Sequence, residues 1–253
     1  MSNRAMISVL ILFALQTLGR AEDAPNAPVV DELDASKVTI PGLTLWLKLD
    51  EKDGAKAVNS VDKGVEVDVT GGKFTQTGKF GGALSFNGEG DYALTAADMQ
   101  ASFAGGDITA AVWIKPAAGG VVIDELGQHE LEGGWHDSQI EIMDDGEVKV
   151  RVWQIEGLSI GKIKMNEWHH VVMRYNSKDQ SLDGFVDGIK AESKVSGEKK
   201  WSDSGNTYYA FGAKDSTNLG QGAFFKGLMD DIRIYNRALT DDEVKLLAGI
   251  KKQ

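Results

Sequence analysis

The chain has 253 residues, with 38 acidic against 27 basic side chains, a formal net charge of −11 and no cysteine. This balance makes nucleic acid and anionic membrane surfaces poor partners, because like charge repels them. Without thiols there is neither a disulfide framework nor a lipid-modified cysteine, so a packed core must hold any fold together.

Residues 1–21 have the pattern of an export signal. Arg4 supplies the positive start, Ala5 to Leu18 is an apolar run, and Gly19-Arg20-Ala21 is a small-x-small cleavage site. The run falls short of the roughly 20 residues a membrane span needs. The expected mature chain begins at Glu22, with an uncleaved anchor as the alternative, and no later stretch is long and apolar enough to span. Loss of Arg4 and Arg20 leaves 25 basic against 38 acidic residues, a formal charge of −13. Secretion, or retention in the periplasm or cell envelope, is the expected location. Residues 22–40 hold Pro25, Pro28 and several acids without an apolar period, which predicts a flexible leader. The domain is then expected over residues 41–253.

From there the pattern has period two. Leu43, Leu45, Leu47 and Leu49 fall on one face with Trp46 on the other, and Ile108, Ala110, Val112 and Ile114 share a face before Pro116. Val121 to Ile123 is a short apolar strand. Gln139 to Met143 and Glu147 to Trp153 flank Asp144-Asp145-Gly146, a hairpin signal, and Leu182 to Ile189 contains a second one at Asp187-Gly188. Trp168 to Tyr175, Tyr208 to Ala213 and Ala223 to Tyr235 supply further strands. Ile232 and Ile234 alternate with Asp231, Arg233 and Tyr235, the period of a half-buried strand. Thr240 and Glu243 then make a T-x-x-E capping box for a short helix carrying Val244, Leu247 and Ile250. Many short strands between Gly- and Asp-rich turns mean two antiparallel sheets packed face to face. The bulk of Trp113 and Trp168 suits the core between them.

Six blocks carry a family resemblance. They are Leu49-Asp50-Glu51-Lys52-Asp53-Gly54, Gly78-Lys79-Phe80-Gly81-Gly82-Ala83-Leu84-Ser85-Phe86-Asn87-Gly88, Ile108 to Pro116, Asn166 to Val172 with its W-H-H-V core, Phe185-Val186-Asp187-Gly188, and Gly227 to Val244. In this order they resemble LamG-like domains of the concanavalin A-like lectin/glucanase superfamily, of the bacterial exported type. The resemblance implies an all-β, two-sheet antiparallel jelly-roll sandwich with a short C-terminal helix. It also implies a structural Ca2+ tying the first strand to the last, held by Asp230 with Asp50 or Glu51. The alternative for Asp230 and Asp231 is hydrogen bonding to backbone, or pairing with Arg233 and Arg237.

Catalytic signatures are weak. Laminarinase-type relatives place carboxylates on alternate residues of one strand, but Asp144-Asp145-Gly146 is turn chemistry that puts Glu141 and Glu147 on different strands. His169 and His170 point to opposite sheet faces, and no nucleophile elbow accompanies them. The stretch Gly127 to Ser138 reads as a polar rim loop. Its His129 and His136, with Glu130, Glu132 and Asp137, match no standard metal spacing, so a solvated loop is the competing reading. The same loop is the candidate ligand surface: Trp135 offers a face for a sugar ring, and His129, Gln128 and Asp137 offer hydrogen bonds to hydroxyls. Trp153, opposite Val148, Val150 and Val152, would extend the platform. A cover for the core edge is the competing role for Trp135. The expected function is non-catalytic binding, most simply of a carbohydrate. An adhesive or structural cell-envelope module that binds protein is the alternative, and a glycoside hydrolase the second alternative.

Overall fold

The computed structural model describes residues 33–62, 65–199, 205–215 and 219–251. The export signal expected over residues 1–21, its cleavage site and the leader as far as residue 32 lie outside the described residues. The strands are β1 (Leu43–Leu47), β2 (Lys56–Ala57), β3 (Val67–Thr70), β4 (Lys73–Phe80), β5 (Gly82–Asn87), β6 (Tyr92–Thr95), β7 (Ile108–Pro116), β8 (Gly120–Leu126), β9 (His136–Ile142), β10 (Glu147–Val150), β11 (Leu158–Lys162), β12 (His169–Asn176), β13 (Ser181–Val186), β14 (Ile189–Lys190), β15 (Val195–Ser196), β16 (Tyr208–Phe211) and β17 (Lys226–Tyr235). Among the described residues they form two antiparallel sheets. The first has nine strands in the order β14-β13-β12-β7-β17-β5-β4, with β1 also on β17 and β15 on β13. The second has eight, in the order β11-β10-β9-β8-β16-β6-β3-β2. Their facing sides share one core that includes Leu45, Leu47, Val112, Ile114, Ile123, Ile140 and Phe211, the expected sandwich.

Local chemistry sets the turns. The β13–β14 hairpin turns at Asp187 and Gly188, whose φ angles of 50° and 73° are the left-handed pair that two-residue hairpins favour. Between β9 and β10, the Gly146 amide donates to the Met143 carbonyl at 2.9 Å, and the Glu147 amide donates to Asp145 Oδ1 at 3.0 Å. The helix α1 (Asp241–Leu247) has the expected capping box: the Thr240 amide donates to Glu243 Oε2 at 2.8 Å and the Glu243 amide to Thr240 Oγ1 at 3.3 Å. The hydrogen bond from Arg237 holds the Glu243 carboxyl down at about 2, against burial. The helix ends at Leu247, so Ile250 falls outside it and is 41% exposed.

Four sequence expectations need correction. First, β17 is buried on both faces, not on one. A second cluster of Ile40, Ala111, Val172, Phe185, Tyr235, Leu239, Val244 and Leu247 covers the outside of the nine-stranded sheet, with α1 supplying part of it. Second, Leu43 packs against that outer cluster, because a register shift between Leu43 and Leu45 changes its side of the sheet. Third, Trp113 alternates with core-facing Val112 and Ile114 and therefore sits on the outer face. There it meets Phe80 edge-on at 5.6 Å and His170 at 5.2 Å, while Trp168 is only half-buried. Fourth, β10 stops at Val150, so Trp153 lies in the turn beyond it, where Gln154 has a φ of 70°.

Residues 33–40, read from sequence as the end of a leader, are tied to the domain. Arg233 donates from Nη1 to the Val38 carbonyl at 2.6 Å and from Nη2 to the Ala35 carbonyl at 2.9 Å. Its guanidinium also lies 4.3 Å from the Trp46 ring centroid and 3.0 Å from Asp231 Oδ1. Arg233, expected on the solvent side of its strand, is 1% exposed.

Candidate functional site

Strands usually bury apolar residues, but β8 and β9 bury acids. Asp124, Glu125, Asp137 and Glu141 are each 0% exposed, and Asp215, on the segment after β16, is 4% exposed. The cause is position: β8 and β9 lie inside the eight-stranded sheet between β16 and β10. The expected rim loop is also shorter than its sequence implied. β9 begins at His136, so His136, Asp137 and Ser138 are strand residues, and the loop is 127–135.

On the outer face of this sheet, Asp124 and Leu126 of β8 lie opposite Ser138 and His136 of β9. Leu126 joins Leu94, Ala210 and Ala213 in a small apolar cluster there, with Leu131 of the loop against it. His136 Nδ1 is 2.8 Å from Asp124 Oδ2, and Asp215 Oδ2 accepts from the Ser138 amide at 2.8 Å. One potential ligand atom from each of Asp124, His136 and Asp215 lies within 4.8 Å of the others, so a divalent ion could be shared among them. Burial pushes the Asp124 carboxyl up to about 7, opposed by its hydrogen bond to His136. The same bond raises the imidazole, opposed by burial.

A second group is built around Glu125 and Asp137, which face each other across β8 and β9. Glu125 Oε2 accepts from Gln139 Nε2 at 2.8 Å and lies 3.4 Å from Lys199 Nζ. Burial raises Glu125 to about 7, opposed by Lys199. Asp137 pairs with Arg151 Nε at 2.7 Å, and burial raises it to about 6 against that pairing. Asp137, expected to offer hydrogen bonds to a ligand's hydroxyls, is thus enclosed and ion-paired. Glu141 accepts from the amides of Leu219, Gln221 and Gly222 at 2.5, 3.0 and 3.3 Å, so its carboxylate holds a loop. Glu147, as expected, is on the next strand.

The structure brings Trp135 and Trp153 together, with ring centroids 6.2 Å apart and planes inclined by 32°. Trp135 is half-buried against Gly127, where a Cβ would sit 2.1 Å from its Nε1, so glycine is needed for this approach. Trp153 is 38% exposed, the one exposed tryptophan among the described residues. Gln128 Nε2 spans the loop to the Glu132 carbonyl at 2.9 Å. His129 is exposed and turns the other way, its ring 5.6 Å from that of Tyr208.

Asp50 and Asp230 each hold an amide of the β4–β5 turn. Asp230 Oδ2 accepts from the Phe80 amide and Asp50 Oδ1 from the Gly82 amide, both at 2.8 Å. Glycine is required at position 78 of this turn, because a Cβ there would lie 1.7 Å from the Gly82 carbonyl oxygen. Asp230 Oδ1 is buried without a hydrogen-bond partner, and burial raises this carboxyl to about 7, opposed by the Phe80 amide. Glu51 Oε1 instead accepts from the Val58 amide at 2.7 Å. Among the described residues, the metal-capable group of three is Asp124, His136 and Asp215, which includes neither Asp50 nor Asp230. Sequence reasoning missed Asp124, Asp215, Glu125 and Lys199 as site residues. The one available signal was the acidic pair Asp124-Glu125 continuing directly from the apolar run Val121 to Ile123.

Residues 87–245 match the family model Laminin_G_3, described as the concanavalin A-like lectin/glucanases superfamily. No curated protein sequence matches the chain. Among solved structures, Trypanosoma rangeli sialidase in complex with 2,3-difluoro-KDN superposes with a TM-score of 0.63 at 17% identity, over 88% of this chain and 36% of the sialidase. The chain thus spans about a third of that enzyme's length. Domain 4 of AbnA, a GH43 extracellular arabinanase from Geobacillus stearothermophilus, in complex with arabinotriose, gives a TM-score of 0.54 at 18% identity, over 81% of this chain and 98% of that domain. The binding domain of botulinum neurotoxin serotype D/C gives 0.57 at 13% identity, over 82% of this chain and 51% of that one. At these identities the superpositions establish the fold. Among the described residues, no helix is long and apolar enough to cross a membrane.

Proposed function

Because the chain belongs to the laminin G-like family of the concanavalin A-like lectin/glucanase superfamily, we propose that it is an exported, non-catalytic module that binds a neutral or cationic glycan through Trp135 and Trp153. The observation that carries this reading is the pair of adjacent indoles, one exposed and one half-buried, beside the 127–135 loop. Flat apolar faces suit sugar rings, and the side-chain oxygen of Gln128, whose Nε2 spans the same loop, is an acceptor for a hydroxyl, whereas His129 is turned toward Tyr208. The arabinotriose complex of a domain with the same fold supports a carbohydrate ligand. The acidic net charge disfavours anionic polysaccharides. Hydrolysis is not part of the reading: Glu141 is occupied by loop amides, and Glu125 and Asp137 are buried and paired.

A shallow site of two indoles should bind with a Kd on the order of micromolar to millimolar. Affinity electrophoresis in gels containing arabinan or other neutral glycans provides the check. Trp153→Ala should lower retention about tenfold, a loss of roughly 1.4 kcal/mol, and leave the melting temperature nearly unchanged. Trp135→Ala should lower both. A wild type that is not retarded by any neutral glycan, or a Trp153→Ala protein retained as well as wild type, would refute the carbohydrate reading. Protein binding is the second reading, favoured by exposed Ile189 (72%) and Ile250 (41%) on either side of the groove between β14 and α1.

The reading includes a structural calcium at Asp230 with Asp50. Its support is the buried, unpartnered Asp230 Oδ1, since calcium takes hard oxygen ligands. An ion that binds only the folded state raises the melting temperature by mass action. Calcium should therefore raise the melt of wild type and not of Asp230→Ala. Equal responses of the two proteins would exclude this site.

A further inference from the structure

We propose that Asp124, His136 and Asp215 form a site for a divalent transition-metal ion such as Zn2+, distinct from the calcium position at Asp50 and Asp230. The first support is the donor set. One imidazole with two carboxylates, converging within 4.8 Å, suits a borderline metal, whereas calcium takes oxygen alone.

The second support is an unpartnered polar group on the same face. Ser138 is 0% exposed and its Oγ has no hydrogen-bond partner. It lies directly across from Asp124 and two residues along β9 from His136, so all three side chains project from the same side of the sheet. A buried hydroxyl without a partner is costly in an apolar protein interior, and a bound ion or its water would satisfy it.

A divalent ion here would join β8 and β9 to the segment after β16, and would hold the residue immediately following Trp135.

The experiment uses the purified full chain. After treatment with chelator it is dialysed against Zn2+, Co2+ or Ca2+, and bound metal is counted by mass spectrometry of the elements. One equivalent of Zn2+ or Co2+ should be retained, and a hundredfold excess of Ca2+ should not displace it. His136→Gln and Asp215→Asn should each weaken retention at least a hundredfold, and Asp50→Asn and Asp230→Ala should not. X-ray absorption of the zinc-loaded wild type gives a readout that does not depend on the variants folding. One imidazole with oxygen donors is expected. Absence of retained metal, retention unchanged by His136→Gln, or a spectrum without imidazole would overturn the proposal and leave His136 and Asp124 as a hydrogen-bonded pair.

Discussion

Replacing Arg233 with methionine should destabilise the fold by about 3–5 kcal/mol, because it strips a buried carboxylate of its charge partner. Asp231 is 4% exposed, and without Arg233 it would retain the Trp46 indole N–H at 2.6 Å as its neutral partner. The carbonyls of Ala35 and Val38 would lose their donors too, and a cation would leave the face of Trp46. The double variant Arg233→Met, Asp231→Asn removes both charges and should recover a large part of the loss. Chemical denaturation measures all three proteins. Limited proteolysis should also cut the single variant within residues 33–40 sooner than wild type. A single variant within 1 kcal/mol of wild type would show that the guanidinium is not structural.

The second large effect is a pH dependence centred on His170. This imidazole is 2% exposed, its Nδ1 has no partner, and burial holds it down at about 3, with the charges of Arg233 and Lys79 adding to the effect. The unfolded chain takes up a proton near the ordinary value of about 6.5. Between that value and about 3 the unfolded state therefore binds more protons, and stability falls as the pH falls. At about 1.4 kcal/mol per unit, His170 alone should cost roughly 3 kcal/mol at pH 4 relative to pH 7. The raised carboxyls of Asp124, Glu125, Asp137 and Asp230 act in the opposite direction, gaining stability as the pH falls toward 4. The informative quantity is thus the difference between wild type and His170→Leu, measured by denaturation at both pH values. It should change by about 3 kcal/mol between them, and a constant difference would refute a neutral buried imidazole.

Period two and turn chemistry made the sandwich legible, because local forces fix both. Asp144-Asp145-Gly146 and Asp187-Gly188 turn where the sequence placed them, and Thr240 and Glu243 cap α1 as their spacing required. What escaped depends on distant parts of the chain. Arg233 reads as a solvent-facing residue until the Ala35 and Val38 carbonyls arrive from the other end of the sequence. Trp113 reads as core until register places it opposite His170 on the outer face. The candidate metal site was hidden for the same reason. Asp215 comes from beyond β16, while Asp124 and Glu125 follow an apolar run where charge signals the end of a strand. Only the neighbouring strands bury them. The Trp135–Trp153 contact was half legible, since the aromatic types were apparent and their spacing in the fold was not.

The last strand is also the keystone of its sheet, which orders events in time. β17 pairs with β7 along one side, and with β5 and then β1 along the other. Before residues 226–235 are available, β4-β5 and β7-β12-β13 have no strand between them, and β1 has no neighbour in this sheet. Leu43 waits for Tyr235, its partner in the register. Such pairings between sequence-distant segments make folding slow and leave partly assembled sheets with open edges. A nascent chain stalled short of Lys226 should therefore bind chaperones and be digested readily, and compaction of the nine-stranded sheet should come as one late step.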